Sequence, residues 1–236
     1  MPGILAIETA TEACSVALWR DGELKQCHEV TPRQHSQRLF GMLRELLPDG
    51  QLRDHGVDVI AYGSGPGSFT GLRIAASAVQ GLAFASSLPA VPVSTLACQA
   101  QTAQRLGLVQ EGDCVFSALD ARINEIYHAT YRIEGGLPVE LQIPAACSPG
   151  SVVLHDSVSR AVGVGSGCRF LEDYPAPVAS RLTGVDIDLL PQAKDLVPLA
   201  LEALQRGSVQ NAIDVQPVYV RDEINWKKIP QQGRQS

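Results

Sequence analysis

Few residues in the chain could carry chemistry, and their spacing limits what they can do. The five histidines, at 28, 35, 55, 128 and 155, include no pair four apart on a helix, so the helical metal-site pattern is missing. His35, near a helix start, reads as a surface or capping residue rather than a ligand or base. The six cysteines, at 14, 27, 98, 114, 147 and 168, include no Cys-x-x-Cys. That spacing argues against a zinc knuckle or a dithiol redox motif and predicts reduced, mostly buried thiols. Glu8, Thr9, Thr11 and Glu12 crowd one short turn, where a carboxylate and hydroxyls could face phosphate and magnesium. The spacing favours an ordinary hairpin whose hydroxyls bond their own backbone. The stretch from Gly63 to Arg73 has glycines at 63, 65, 67 and 71 with Pro66 among them. It lacks the lysine of a phosphate-binding loop and the glycine spacing of a dinucleotide fingerprint. It reads as a tight strand-to-helix turn. A Ser-His-Asp set cannot be argued from spacing, because such triads assemble only in three dimensions.

The elements that must position these residues set wider bounds. The 236 residues leave room for one large or two small domains, and 45% hydrophobic content is enough for a full core. A formal net charge of -6 argues against a surface that attracts nucleic acid by itself. No apolar run reaches membrane-spanning length, and Met-Pro-Gly leading into a strand is not a signal-peptide pattern. The expectation is a cytoplasmic protein with no membrane contact.

Alternating apolar residues predict strands over 4–9, 13–20 and 23–30, the last two joined by the hairpin turn Asp21-Gly22. A helix to about 47 follows, stopped by Pro48-Asp49-Gly50, then a strand at 57–62 and a helix from about 70 to 86. A strand at 89–93 leads to a helix capped by Ser94. Three antiparallel strands followed by alternating units is the order of a ribonuclease H-like fold. A second meander, at 114–119, 125–133 and 137–143, begins the pattern again. The chain is therefore expected to be α/β, with two ribonuclease H-like lobes at 1–106 and 107–236. The second lobe reads as reduced: a short helix near 151–154, a strand with a glycine turn at 162–167, loop over 174–191, and a helix at 195–206. That last helix is expected to be able to pack back on the first lobe. A last short strand at 217–221 and the basic, aromatic Asn225-Trp-Lys-Lys228 close the chain, the latter read as a frayed terminus rather than a nucleic-acid contact.

Two helices carry more apolar surface than one contact consumes. Leu39, Phe40, Met42, Leu43, Leu46 and Leu47 spread widely around the first. On the second, Leu72, Ala76, Val79 and Ala83 form one face, and Ile74, Ala78, Gly81 and Ala85 the opposite one. Arg73, Ser77 and Gln80 make its polar stripe. A helix apolar on two sides must be covered on both. The expected protein interface therefore comprises Leu39, Leu43, Leu47, Arg73, Ile74, Ala78, Gly81 and Ala85, with small residues allowing close approach.

Four segments together resemble the TsaB (YeaZ) family: residues 4–17, the Gly-Pro-Gly-Ser-Phe-Thr-Gly-Leu-Arg block ending at Arg73, Asp120-Ala121-Arg122 with Glu125-Ile126-Tyr127, and Pro217-Val-Tyr-Val-Arg221. The likeness runs nearly end to end. It implies the actin, sugar kinase and heat-shock chaperone ATPase superfamily. It also implies a non-catalytic subunit that supports a TsaD threonylcarbamoyltransferase in making threonylcarbamoyladenosine at tRNA position 37. A TsaE ATPase would belong to the same complex, tRNA would be met only through the complex, and a homodimer would form through the TsaD-binding surface in its absence. The family's first-strand aspartate is Glu8 here, which places in doubt any metal or nucleotide role for Glu8, Thr9 and Thr11. Metal-dependent relatives carry two histidines four apart after the strand at 89–93, where this chain reads Ser94-Thr-Leu-Ala-Cys-Gln99. No catalytic residue, metal or cofactor is expected. The competing expectation is an autonomous nucleotide-dependent enzyme or peptidase of the same superfamily.

Overall fold

The structure is a computed structural model that describes residues 1–220. The chain opens with β1 (Ile4–Glu8), β2 (Ala13–Arg20) and β3 (Glu23–Val30), followed by α1 (His35–Leu46). Asp21 and Gly22 both take positive φ, 52° and 85°, as a two-residue hairpin requires. Next come β4 (Val59–Gly65), α2 (Phe69–Ser86), β5 (Ala90–Ser94) and α3 (Thr95–Arg105). Ser94 caps α3 as expected, its Oγ accepting from the Ala97 amide at 3.3 Å. The second meander is β6 (Cys114–Arg122), β7 (Glu125–Glu134) and β8 (Leu137–Cys147), and β9 (Ala161–Val164), α4 (Ala176–Ala179), β10 (Leu182–Asp186) and α5 (Ala193–Gln205) complete the described elements.

The first sheet has the order β3-β2-β1-β4-β5, and the second, read from the matching end, β8-β7-β6-β9-β10. In each, the three meander strands are antiparallel and the two outer strands join in parallel. The repeat is therefore complete in the sheet and reduced in the helices. Where the first lobe has α1 and α2, the second has only 3-10 turns, at Pro149–Ser151 and Ser166–Asp173, and the single turn of α4. Three expectations need correction. No helix runs over 151–154; a 3-10 turn, Pro149–Ser151, ends where it was expected to begin. Residues 174–191 are not mostly loop, since they contain α4 and β10. Residues 217–220 form no strand, and among the described residues one backbone hydrogen bond, from Val218 N–H to the Ser64 carbonyl at 2.8 Å, ties that segment down. Asn225 to Lys228 lie outside the described residues.

Strand alternation sorts the first sheet into two faces. Leu5, Ile7, Val16, Ile60 and Tyr62 meet α1 and α2, while Ile4, Ala6, Ala17, Val59 and Ala61 meet α5. The alanines on that second face let α5 lie close. α3 meanwhile places Leu96, Ala100 and Ala103 against Val115, Leu119, Ala129 and Tyr131 of the second sheet. The last helix of each half thus covers the sheet of the other.

α5 has no side-chain cap of its own at Gln192. Two strand residues supply it: Ser15 Oγ accepts from the Ala193 amide at 3.0 Å, and Gln26 Oε1 from the Lys194 amide at 3.2 Å. Both groups would otherwise be orphan donors. Ser15→Ala is expected to lower stability by about 1 kcal/mol, the usual value of a lost cap, read from the urea midpoint.

Candidate interaction face and inter-lobe cleft

Glu8, at the end of β1, is fully buried. Its Oε1 accepts from the Ala10 amide at 2.7 Å and its Oε2 from the Thr95 hydroxyl at 3.3 Å. The carboxylate lies against Gly63, where an added Cβ would come within 2.0 Å of Oε2, so the glycine is required for this approach. Burial pushes the Glu8 carboxyl up to about 7, against the smaller opposing pull of its hydrogen bonds from Ala10, Thr95 and Thr9. Thr9 donates to the Gly71 carbonyl at 2.8 Å, and Thr11 Oγ1 accepts from the Ala13 amide at 3.4 Å. Of the three candidates, Thr11 alone lines the cleft between the lobes.

That cleft, of about 670 Å³, lies between the β1–β2 turn, the starts of α1 and α2, and the β6–β7 hairpin. Thr11, Glu12, Arg33, Ser68, Asp120 and Arg122 are among its walls. Glu12 and Arg122 approach across it to 3.7 Å, joining the two lobes at its mouth.

The segment Ser94 to Gln99 is used for packing. Thr95 bonds Glu8, Cys98 Sγ donates to the Gln192 carbonyl at 3.3 Å, and Gln99 links Ser117 to the Leu189 carbonyl. Among the described residues, no group of three His, Cys, Asp or Glu side chains is placed to hold a metal. His35 corrects an expectation. It is buried rather than at the surface, its Nε2 3.2 Å from the Ala13 carbonyl, and it ties α1 to β2. All six cysteines are free and five are buried, and burial pushes the thiols of Cys14 and Cys27 up to about 11, away from nucleophile range.

α1 and α2 lie on the same face of the first sheet and share one core. Leu39, Leu43 and Leu47 point into that core, as does Ala78, and Ile74 packs at its margin. The chain's own packing buries Leu39, Leu43, Leu47 and Ala78, whereas Ile74 stays partly exposed and lines the cleft. The solvent side of α2 carries Arg73, Ser77, Gln80, Gly81, Phe84 and Ala85. The expected polar stripe therefore belongs to the open face, together with Gly81 and Ala85 from the expected interface. Three aromatic residues missed as a group stand out there: Phe84 at 81% exposure, Phe69 at 56% and, on α1, Phe40 at 56%. Large aromatic rings on an otherwise small-residue helix were the available signal.

Comparison with known proteins agrees with this architecture. The family described as TsaD, tRNA N6-adenosine threonylcarbamoyltransferase, matches residues 28–162. The tRNA threonylcarbamoyladenosine biosynthesis protein TsaB of Escherichia coli K12 is 38% identical over 96% of this chain and 98% of its own length. The Haemophilus influenzae protein of the same name is 37% identical over 96% of this chain and 97% of its own. The solved structure of YeaZ from Pseudomonas aeruginosa superposes with a TM-score of 0.85 at 41% identity, covering 93% of this chain and all of that one. With two ribonuclease H-like lobes, the second poor in helices, and near end-to-end identity at this level, the chain belongs to the TsaB family.

Proposed function

We propose that the chain is a non-catalytic subunit that binds and supports a TsaD-type threonylcarbamoyltransferase making N6-threonylcarbamoyladenosine at tRNA position 37. Its relatives carry the name of threonylcarbamoyladenosine biosynthesis, and this chain has a role in that biosynthesis. The observation that carries the finer reading is the open α1/α2 face. Phe40, Phe69 and Phe84, with Gly41, Gly81 and Ala85, are exposed along α1 and α2, and the chain's own α5 packs on the opposite side of the sheet. An apolar patch of this kind marks an association site. In the partner's absence the same face pairs with a second copy about a two-fold axis. A TsaE-type ATPase acts in the same complex, tRNA is reached through the complex, and the chain uses no cofactor of its own in the cytoplasm. The second reading, an autonomous nucleotide-dependent enzyme, draws on the inter-lobe cleft with Arg33 and Arg122 in its walls.

Calorimetric titration with ATP and with a purified TsaD-type transferase separates the two. The expected result is tight binding of the transferase and no turnover of ATP by the isolated chain. Phe84→Arg is expected to weaken the complex about thirtyfold or more, the effect of losing a central aromatic anchor, with an unchanged circular dichroism spectrum. Gly81→Glu acts in the same direction. Ala78→Arg would test the fold instead, because Ala78 faces the core. A transferase that binds Phe84→Arg and Gly81→Glu with wild-type affinity would place the interface elsewhere.

A further inference from the structure

The N-terminal end of α2 carries an assembly that the core does not require. Arg73 is the one charged residue in this helix. Its guanidinium carbon stands 3.8 Å from the centroid of the Phe69 ring, and its Nε donates to the Tyr219 hydroxyl at 3.2 Å. Tyr219 in turn packs on Phe69, with ring centroids 5.7 Å apart. The chain brings Tyr219 there by main-chain contacts: Tyr62 donates to the Gln216 carbonyl at 3.2 Å, and Val218 N–H to Ser64 at 2.8 Å. Gly65, at φ 118°, makes room, since a Cβ there would meet the Val218 carbonyl oxygen at 2.8 Å.

The result is a guanidinium laid on one ring and oriented by a second residue, at the edge of an apolar surface. Its terminal nitrogens have no acceptor among the described residues. A planar fork held this way matches a carboxylate in bidentate geometry. Arginine and tyrosine anchors are also the side chains that dominate interface energetics. We propose that Arg73, held between Phe69 and Tyr219, receives a carboxylate of the protein that docks on the α1/α2 face. The proposal rests on the docking reading above and adds the chemistry of the partner: an acidic side chain opposite the start of α2. A phosphate of RNA would also suit a guanidinium, but the neighbours are apolar rings and the chain carries a net charge of -6, which disfavours a polyanion.

The test titrates full-length variants into a purified TsaD-type transferase, with circular dichroism as the check on folding. Arg73→Ala is expected to raise Kd about tenfold or more, the scale of a charge-assisted pair. Arg73→Lys restores little of it, because an ammonium lacks the planar fork. Tyr219→Phe, which keeps the ring and removes the hydroxyl, is expected to raise Kd by about threefold, the scale of one neutral hydrogen bond. Wild-type affinity should fall with added salt more steeply than that of Arg73→Ala. If Arg73→Ala binds with wild-type Kd while Phe84→Arg does not bind, the carboxylate receptor is wrong and the docking face stands. If Phe84→Arg also binds normally, both readings fail. Loss of tRNA binding with intact transferase binding in Arg73→Ala would assign the site to RNA phosphate and overturn the proposal.

Discussion

Arg105→Ala is expected to destabilise the protein by about 3–5 kcal/mol, the range for removing one partner of a buried ion pair. The reason lies where the two lobes lock. Asp195, in the first turn of α5, is almost fully buried and accepts from Arg105 Nε at 2.6 Å, from Arg105 Nη2 at 2.9 Å and from Thr102 Oγ1 at 2.7 Å. Both charges suit their helix ends, the acid at an N-terminus and the base in a last turn. The pair is asymmetric, however, because the Arg105 side chain is 31% exposed and the Asp195 side chain 3%. Removing Arg105 strands a carboxylate that cannot reach water. Removing Asp195 leaves a guanidinium that can turn toward solvent, and a Thr102 hydroxyl that retains the Cys98 carbonyl at 3.0 Å. Asp195→Ala should therefore cost clearly less than Arg105→Ala, and the double variant less than the sum of the two. Urea denaturation of the three variants measures this. Equal single losses that add without coupling would show that the pair does not hold α3 to α5.

Stability against pH should reveal two buried groups working in opposite directions. Burial raises Glu8 from its ordinary 4.5 to about 7 and lowers His128 from 6.5 to about 4. His128 sits in the second lobe against Phe116, its ring 5.6 Å from that of Phe116, with Nδ1 buried and without a hydrogen-bond partner among the described residues. For Glu8 the folded value lies above the unfolded one. Its contribution is fully present below pH 4.5 and is lost as pH rises to about 7. For His128 the folded value lies below, so its contribution is present above pH 6.5 and is lost as pH falls to about 4. Each shift corresponds to roughly 3 kcal/mol at about 1.4 kcal/mol per unit.

Between these limits the two slopes nearly cancel in the wild type and separate in variants. Glu8→Gln is expected to gain on wild type by roughly 3 kcal/mol between pH 4.5 and 7. His128→Phe is expected to gain by a similar amount as pH falls from 6.5 to 4. The readout is the change with pH, since either substitution also shifts the baseline by packing. A Glu8→Gln curve parallel to wild type throughout would mean that Glu8 stays ionised in the folded protein.

Much of the fold was legible because the signals were local. Alternation in β1 to β3, the Asp21-Gly22 turn and the Ser94 cap each lie within a few residues, and backbone sterics read them directly. β10 was missed for the opposite reason. It is short, contains Gly184, lies at a sheet edge and buries none of its residues fully, so neither alternation nor a long apolar run marked it. Which side of α1 and α2 faces solvent was not legible in the sequence, for a geometric reason. A helical wheel shows which residues share a side of α1 or α2, but not which side meets the sheet. Leu39, Leu43 and Ala78 went to the core, while Phe84 was left in solvent.

By itself the sequence determined the order of elements from β1 to β8 and the repeat of the meander. Both depend on contacts between near neighbours. Tertiary structure alone decided that α3 covers the second sheet, that Glu8 is enclosed and its carboxyl raised, and that Tyr219 reaches Arg73 across 146 positions of chain. Desolvation and long-range packing have no period along a chain. They depend on which atoms fold brings together, and a carboxylate at the end of β1 is open or enclosed according to what the rest of the protein lays over it.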